Sequence, residues 1–190
     1  MIALGIREIP AGMGEHDSAY RLLACMYEEL LGEPVPEICV APGGKPSFAD
    51  GRVRFSLSHT RGLAVCVLSI PGTVPAGPYT VLDPTEYAPE VGVDAEYVRA
   101  DADASRLCRI VGRFFPREEQ KRLAGVPKEA YPGAFYENWT RLESFVKMTG
   151  RGIRGGFPTP GEDVEFISLV HTTDTSVYRI CCAFRKTDLL

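Results

Sequence analysis

No apolar run in this 190-residue chain approaches the about 20 residues a transmembrane helix needs. The first residues, MIALGIREIPAGMGEHD, lack the basic start and long apolar core of a signal peptide. A cytoplasmic protein without a membrane partner is therefore expected. Cysteines occur at positions 25, 39, 66, 108, 181 and 182, but C-x-x-C does not. That spacing fits neither a zinc site nor a dense disulfide framework, so the cysteines read as reduced, mostly buried small hydrophobes. The net charge of −4 supplies no bulk basic field, and nucleic acid is not an expected partner. Low-complexity segments and residue-level repeats are also missing.

What remains is an ordinary globular composition, 45% hydrophobic and 24% charged. The length suits one large domain, or two small halves sharing a core. DSAYRLLACMYEELLG (residues 17–32) predicts a helix capped by Asp17 or Ser18 and ended by Gly32, with an apolar stripe through Ala19, Leu22, Leu23, Met26, Leu30 and Leu31. Residues 33–51 read as loop with one short strand at 37–41. VRFSLSH (53–59) and LAVCVLSI (63–70) predict a hairpin turning at Arg61-Gly62. The Pro-rich stretch 71–90 reads as a connector, and VGVDAEYV as a third strand. Residues 103–124 predict two helices broken at Pro116, and 134–149 the longest helix, stopped by Gly150. Strands near 163–170 and 177–185 close the chain. Helix-then-strands thus occurs twice.

Asp94 and Glu96 are two apart on the third strand, so they face one side about 7 Å apart along the backbone. Drawn to about 5 Å, they would repel by roughly 3 kcal/mol at an effective dielectric of about 20. Either both are solvated at a strand edge, or protonation, a basic partner or a hard cation such as Mg²⁺ offsets that repulsion. On the long helix, Phe135, Trp139, Leu142, Val146 and Thr149 form the apolar stripe, with Tyr136, Thr140, Glu143 and Lys147 on a neighbouring face. Glu143 and Lys147 are either a solvated pair worth about 0.2–0.5 kcal/mol, or a third carboxylate and a phosphate contact. Ser58 and His59 end a strand at a turn, where both can reach a ligand or simply be exposed. As adjacent residues they are weak evidence for a hydrolase. Lys45, after two glycines, is either a solvated loop lysine or a ligand contact.

In order, GKPSF, FSLSHT, VGVDAE, FFPREEQKRL and WTRLESFVKMTGRGI resemble the 4′-phosphopantetheinyl transferases, specifically the single-chain, surfactin-synthetase-activating type. The resemblance runs from about residue 16 to 155. It implies transfer of the phosphopantetheine arm of coenzyme A to a serine of an apo acyl or peptidyl carrier protein. It further implies Mg²⁺ dependence, release of adenosine 3′,5′-bisphosphate, and a monomer. The implied fold is α+β, a pseudo-dimer of two similar helix-plus-antiparallel-sheet halves, 1–90 and 91–190, with the active site in the cleft between them. Carried over by residue, Asp94, Glu96 and Glu143 would bind the metal, and Glu143 would also help deprotonate the carrier serine. Lys147 would contact the pyrophosphate, Lys45 and Pro46 would line the coenzyme pocket, Ser58 and His59 would hold its phosphates, and Arg21 would meet the 3′-phosphate.

The chain departs from that pattern in three places. Leu142 stands where the family shows lysine before the helix glutamate; it is expected to pack, and a lysine restored there to leave turnover unchanged or improve it. A basic segment before the first helix is missing, with Arg7 as a candidate substitute. The connector 71–90 is long. Two further readings stay open: a family member that binds coenzyme A or a carrier protein without turnover, and an unrelated Mg²⁺-dependent phosphohydrolase with water as attacker.

Overall fold

A computed structural model describes residues 1–40, 44–73, 77–84, 89–153 and 155–186. Strand β1 (Ile2–Glu8) leads into helix α1 (Glu15–Leu31), then β2 (Ile38–Val40), β3 (Pro46–Phe48), β4 (Arg54–Thr60), β5 (Leu63–Ser69) and β6 (Thr80–Asp83). The chain continues through β7 (Val91–Tyr97), α2 (Ala104–Phe114), α3 (Arg117–Ala124), α4 (Tyr131–Thr149), β8 (Val164–Thr172) and β9 (Val177–Arg185). The sheets have the orders β4-β5-β1-β6, β2-β3 and β7-β9-β8, and every pairing within them is antiparallel. The architecture is mixed α+β.

Burial explains each sequence pattern. LAVCVLS of β5 is apolar throughout because both of its faces are covered. Ala64, Cys66 and Leu68 meet α1, while Leu63, Val65 and Val67 join a central cluster with Val91, Val93, Ala95, Ile180, Cys182 and Phe184. The four-stranded and three-stranded sheets therefore share one core, with α1 outside the first and α4 outside the second. On β7 the odd-numbered residues enter that core. Gly92, Asp94 and Glu96 consequently face α4.

The expected helices and hairpins form, with corrections at the ends and in three strands, of which β3 lies in a stretch read as loop. Neither Asp17 nor Ser18 caps α1. The N-cap is Gly14, whose carbonyl accepts from the Ser18 hydroxyl at 2.9 Å. Gly32 ends α1 in the left-handed region, φ 68°. The connector 71–90 contains a strand, β6, on the edge of β1; its residues 74–76 and 85–88 lie outside those described, as does Ala41 of the expected short strand. No strand is predicted at the N-terminus, yet β1 is an interior strand of its sheet. Buried on both sides and interrupted by Gly5, IALG shows no alternation to read.

The cysteines are unpaired among the described residues, as expected, but Cys39 and Cys108 are exposed. No helix among the described residues is long and apolar enough to cross a membrane.

Candidate active site between a strand and a helix

Helix α4 lies close enough on β7 to touch its backbone, and glycine is what permits this. A Cβ built on Gly92 would stand 2.0 Å from the Ser144 carbonyl oxygen and 2.4 Å from the Met148 amide nitrogen. The contact falls one residue after Glu143 and one after Lys147 on the helix, and two residues before Asp94 on the strand. An isolated glycine inside an apolar strand is the sequence signal for such an approach.

The result is a mixed-charge cluster. The Lys147 ammonium donates to Asp94 Oδ1 at 2.7 Å and to Ser58 Oγ at 3.0 Å. Asp94 is buried, 5% exposed, and its second oxygen, Oδ2, has no hydrogen-bond partner among the described residues. Glu143 is pushed up to about 7, first by burial and then by the charge of Asp94, with Lys147 opposing. Glu96 is likewise pushed up to about 7 by burial, by Asp94 and by Glu143, against Lys147 and a hydrogen bond from the Trp139 side chain. The helix acid therefore feels the strand acids, and neither Glu143 nor Glu96 is simply solvated.

Cavities flank this cluster. One of about 330 Å³ is lined by Lys147, Lys45, Pro46, His59, His16 and Tyr20 among others. Another, of about 410 Å³, opens beside Glu96, with Arg99 and Arg106 above Leu107, Phe135 and Trp139. Lys45 crosses the C-terminal end of α4. Its ammonium donates to the Met148 carbonyl at 2.6 Å and to Glu90 at 3.0 Å, satisfying a carbonyl the helix leaves open. Gly150, in the left-handed region at φ 68°, ends the helix beneath the lysine stem. His59 meets Glu15 at 3.2 Å. Ser58 is buried and is not a wall of the first cavity, nor is Arg21, which is exposed on α1. Arg7 contacts Cys25 at 3.6 Å. Gly92 and Glu90 are not singled out by the sequence, and Trp139, expected only in the apolar stripe, also bears on Glu96.

Leu142 packs as expected, fully buried among Phe135, Val146 and the aromatic residues beneath α2 and α3. That burial argues against the expectation for a lysine there. Leu142→Lys should destabilise the fold by about 3 kcal/mol or more, because an ammonium would enter an apolar cluster; chemical denaturation reads the loss.

Does the site suit a divalent cation? Among the described residues, no three histidine, cysteine or acidic side chains are gathered closely enough to hold one as they stand. The donor chemistry nevertheless fits. Asp94 presents an unpartnered buried oxygen, and Glu96 and Glu143, pushed up to about 7 by burial and by the Asp94 charge, would ionise more fully beside a cation. Hard oxygen donors of this kind suit Mg²⁺.

Acids and a lysine set between a cavity with basic walls and a second cavity form the kind of site that handles a phosphate-bearing ligand. The family follows from comparison: residues 90–188, more than half of the chain, match the model of the 4′-phosphopantetheinyl transferase superfamily, and the chain belongs to that superfamily. It is 32% identical to the 4′-phosphopantetheinyl transferase HetI of Nostoc sp. over 58% of this chain and 40% of that protein. Identity to the putative 4′-phosphopantetheinyl transferase slr0495 of Synechocystis sp. is 27%, over 84% of this chain and 57% of the relative. With the 4′-phosphopantetheinyl transferase AcpT of Salmonella typhi it is 30%, over 62% and 51%. The chain thus spans about half the length of the curated relatives it matches.

Proposed function

We propose that this protein transfers the 4′-phosphopantetheine arm of coenzyme A to a serine of an apo acyl or peptidyl carrier protein, with Mg²⁺, as a holo-[acyl-carrier-protein] synthase of the surfactin-synthetase-activating type. The observation that carries this reading is the seating of Lys147, from α4, on Asp94, from β7, with Glu96 and Glu143 buried near enough to feel the Asp94 charge. Both the motif order and the family membership support it. So does the topology: β1 pairs with the second strand of the hairpin β4-β5, as β7 pairs with the second strand of β8-β9. We read residues 1–90 and 91–190 as the halves of a pseudo-dimer, acting as a monomer in the cytoplasm with the site in the cleft between them.

In this mechanism an alcohol attacks the β-phosphorus of a pyrophosphate, so charge neutralisation and in-line placement do most of the work. Asp94, Glu96 and Glu143 would hold Mg²⁺, which when bound withdraws charge from pyrophosphate oxygens. Lys147 neutralises the same anion from the helix. Lys45 and Pro46 line the coenzyme cavity, with His59 on its wall and Arg21 at the 3′-phosphate. Glu143, pushed up to about 7, can accept the serine proton in its carboxylate form. The cavity beside Glu96 offers the carrier an approach from the opposite side.

Mixing the protein with coenzyme A, Mg²⁺ and an apo carrier, then weighing the carrier, tests this directly. A mass gain of one phosphopantetheine arm is expected. Coenzyme binding without that gain would favour the second reading, a binding member without turnover, which Lys147 seated on Asp94 and the missing lysine at Leu142 support. Release of adenosine bisphosphate without carrier modification would indicate hydrolysis instead.

The raised carboxyls also set a pH dependence. In the folded chain Glu96 and Glu143 titrate near 7, against 4.5 for the free side chain. The native state then binds protons more tightly, so without metal this pair's contribution to stability is greatest below about 4.5 and falls as pH rises to about 7. Mg²⁺ competes with those protons. Its stabilisation, about 2.7 kcal/mol at a hundredfold excess over the dissociation constant, should therefore be larger at pH 8 than at pH 6. Thermal melts at both pH values with and without Mg²⁺ read this. Equal shifts would argue against these carboxyls as the binding groups.

A further inference from the structure

Strand β4 is joined to β7 by side chains. Ser56, Ser58 and Thr60 alternate along β4, and their hydroxyl oxygens accept the backbone N–H groups of Val93 at 3.1 Å, Ala95 at 3.1 Å and Tyr97 at 3.4 Å. The partners advance together, so the strands run in the same direction. The opposite edge of β7 pairs with β9. A row of hydroxyls thus satisfies amides that a neighbouring strand's carbonyls would otherwise take.

The middle member of the row has a second set of contacts. Ser58 Oγ donates to Asp94 Oδ1 at 3.1 Å and accepts from Lys147 Nζ at 3.0 Å, besides accepting from Ala95. A hydroxyl has one proton and two lone pairs. All three are used, and none remains for a ligand phosphate. Consistently, Leu57 and His59 line the coenzyme-side cavity whereas Ser58 does not.

We infer that Ser58 is a positioning residue rather than a coenzyme ligand. It is fixed to the β7 backbone through Ala95, and from there it orients Asp94 so that Oδ1 faces the lysine and Oδ2 stays available to a cation. The inference rests on the reading of Asp94 as a metal ligand. It differs from the role the family resemblance implies for this serine, leaving His59 as the member of the pair that faces the cavity.

Two affinities separate these roles. Mn²⁺ binding is measured by calorimetry, and coenzyme A binding by equilibrium dialysis in the presence of a chelator. Ser58→Ala should weaken Mn²⁺ by about tenfold and leave metal-free coenzyme binding unchanged. Ser58→Thr, which keeps the hydroxyl, should recover most of the Mn²⁺ affinity. Ser56→Ala removes a neighbouring rung without touching Asp94 and should leave Mn²⁺ affinity as it was. Weakened coenzyme binding with intact Mn²⁺ affinity in Ser58→Ala would make the serine a ligand and overturn the proposal. Equal Mn²⁺ loss in Ser56→Ala would overturn it too, by showing a general effect of the row. If Ser58→Ala does not fold, Ser58→Cys, similar in shape and a poor hydrogen-bonding group, should show the same Mn²⁺ loss. Failure of both Ser58 variants to fold while Ser56→Ala folds would make the residue structural and end the inference. A wild-type chain that binds no Mn²⁺ would remove the metal assignment of Asp94, and the inference with it.

Discussion

Asp94→Asn is expected to reduce carrier modification by about a thousandfold or more while leaving the fold intact. The exchange preserves shape, so the β7 backbone and the central cluster should not move. It removes the carboxylate that Lys147 and Ser58 hold. An amide cannot balance the lysine charge. If the side chain keeps its oxygen toward Lys147, it turns an N–H group toward the place where a cation would sit. Mass analysis of the carrier measures the loss, and circular dichroism checks the fold. An asparagine variant with near-normal turnover would remove the central residue of the proposed site.

The second large effect concerns a residue with no side chain. Gly92→Ala should cost about 3 kcal/mol, at the upper end of overpacking, and transfer should fall by about a hundredfold in whatever still folds. The new methyl would collide with backbone atoms at Ser144 and Met148, which cannot turn aside, so α4 itself must shift. A shift of α4 carries Glu143 and Lys147 away from Asp94. Gly5 on β1 provides the comparison: there the nearest obstacle is the Met26 sulfur at 2.4 Å, the flexible part of a side chain. Gly5→Ala should therefore cost less, about 1 kcal/mol. Urea unfolding of both variants tests the contrast. Equal costs would mean that α4 yields as readily as a methionine side chain.

Asp94, Glu96, Glu143 and Lys147 were legible because each leaves a periodic mark on its strand or helix. Asp94 and Glu96 break an apolar strand at a spacing of two. Glu143 and Lys147 keep helical spacing, and Gly150 and Pro116 punctuate the helices. Strand β1 was not legible, because a strand covered on both faces loses its alternation and Gly5 weakens what remains. Nor was the occupation of Ser58. Its motif reads as a pair of neighbours ending a strand, but consecutive strand residues point to opposite faces, and only the fold shows which face meets β7. Leu142 taught the converse. Its position in a charged motif invited a lysine, and its burial among aromatic side chains forbids one. Motif order pointed to these residues, whereas long-range contacts decide what each of them touches.

Main-chain pairing between strands cannot be edited one position at a time, but a fastening made of serine and threonine can. Where β4 meets β7, natural drift or an engineer has access to a joint whose strength changes in steps of about 1 kcal/mol per residue. Relatives with more or fewer hydroxyls along that line would be expected to hold the two sheets at different angles. The gap between the two flanking cavities would then widen or narrow without any change to the acids themselves.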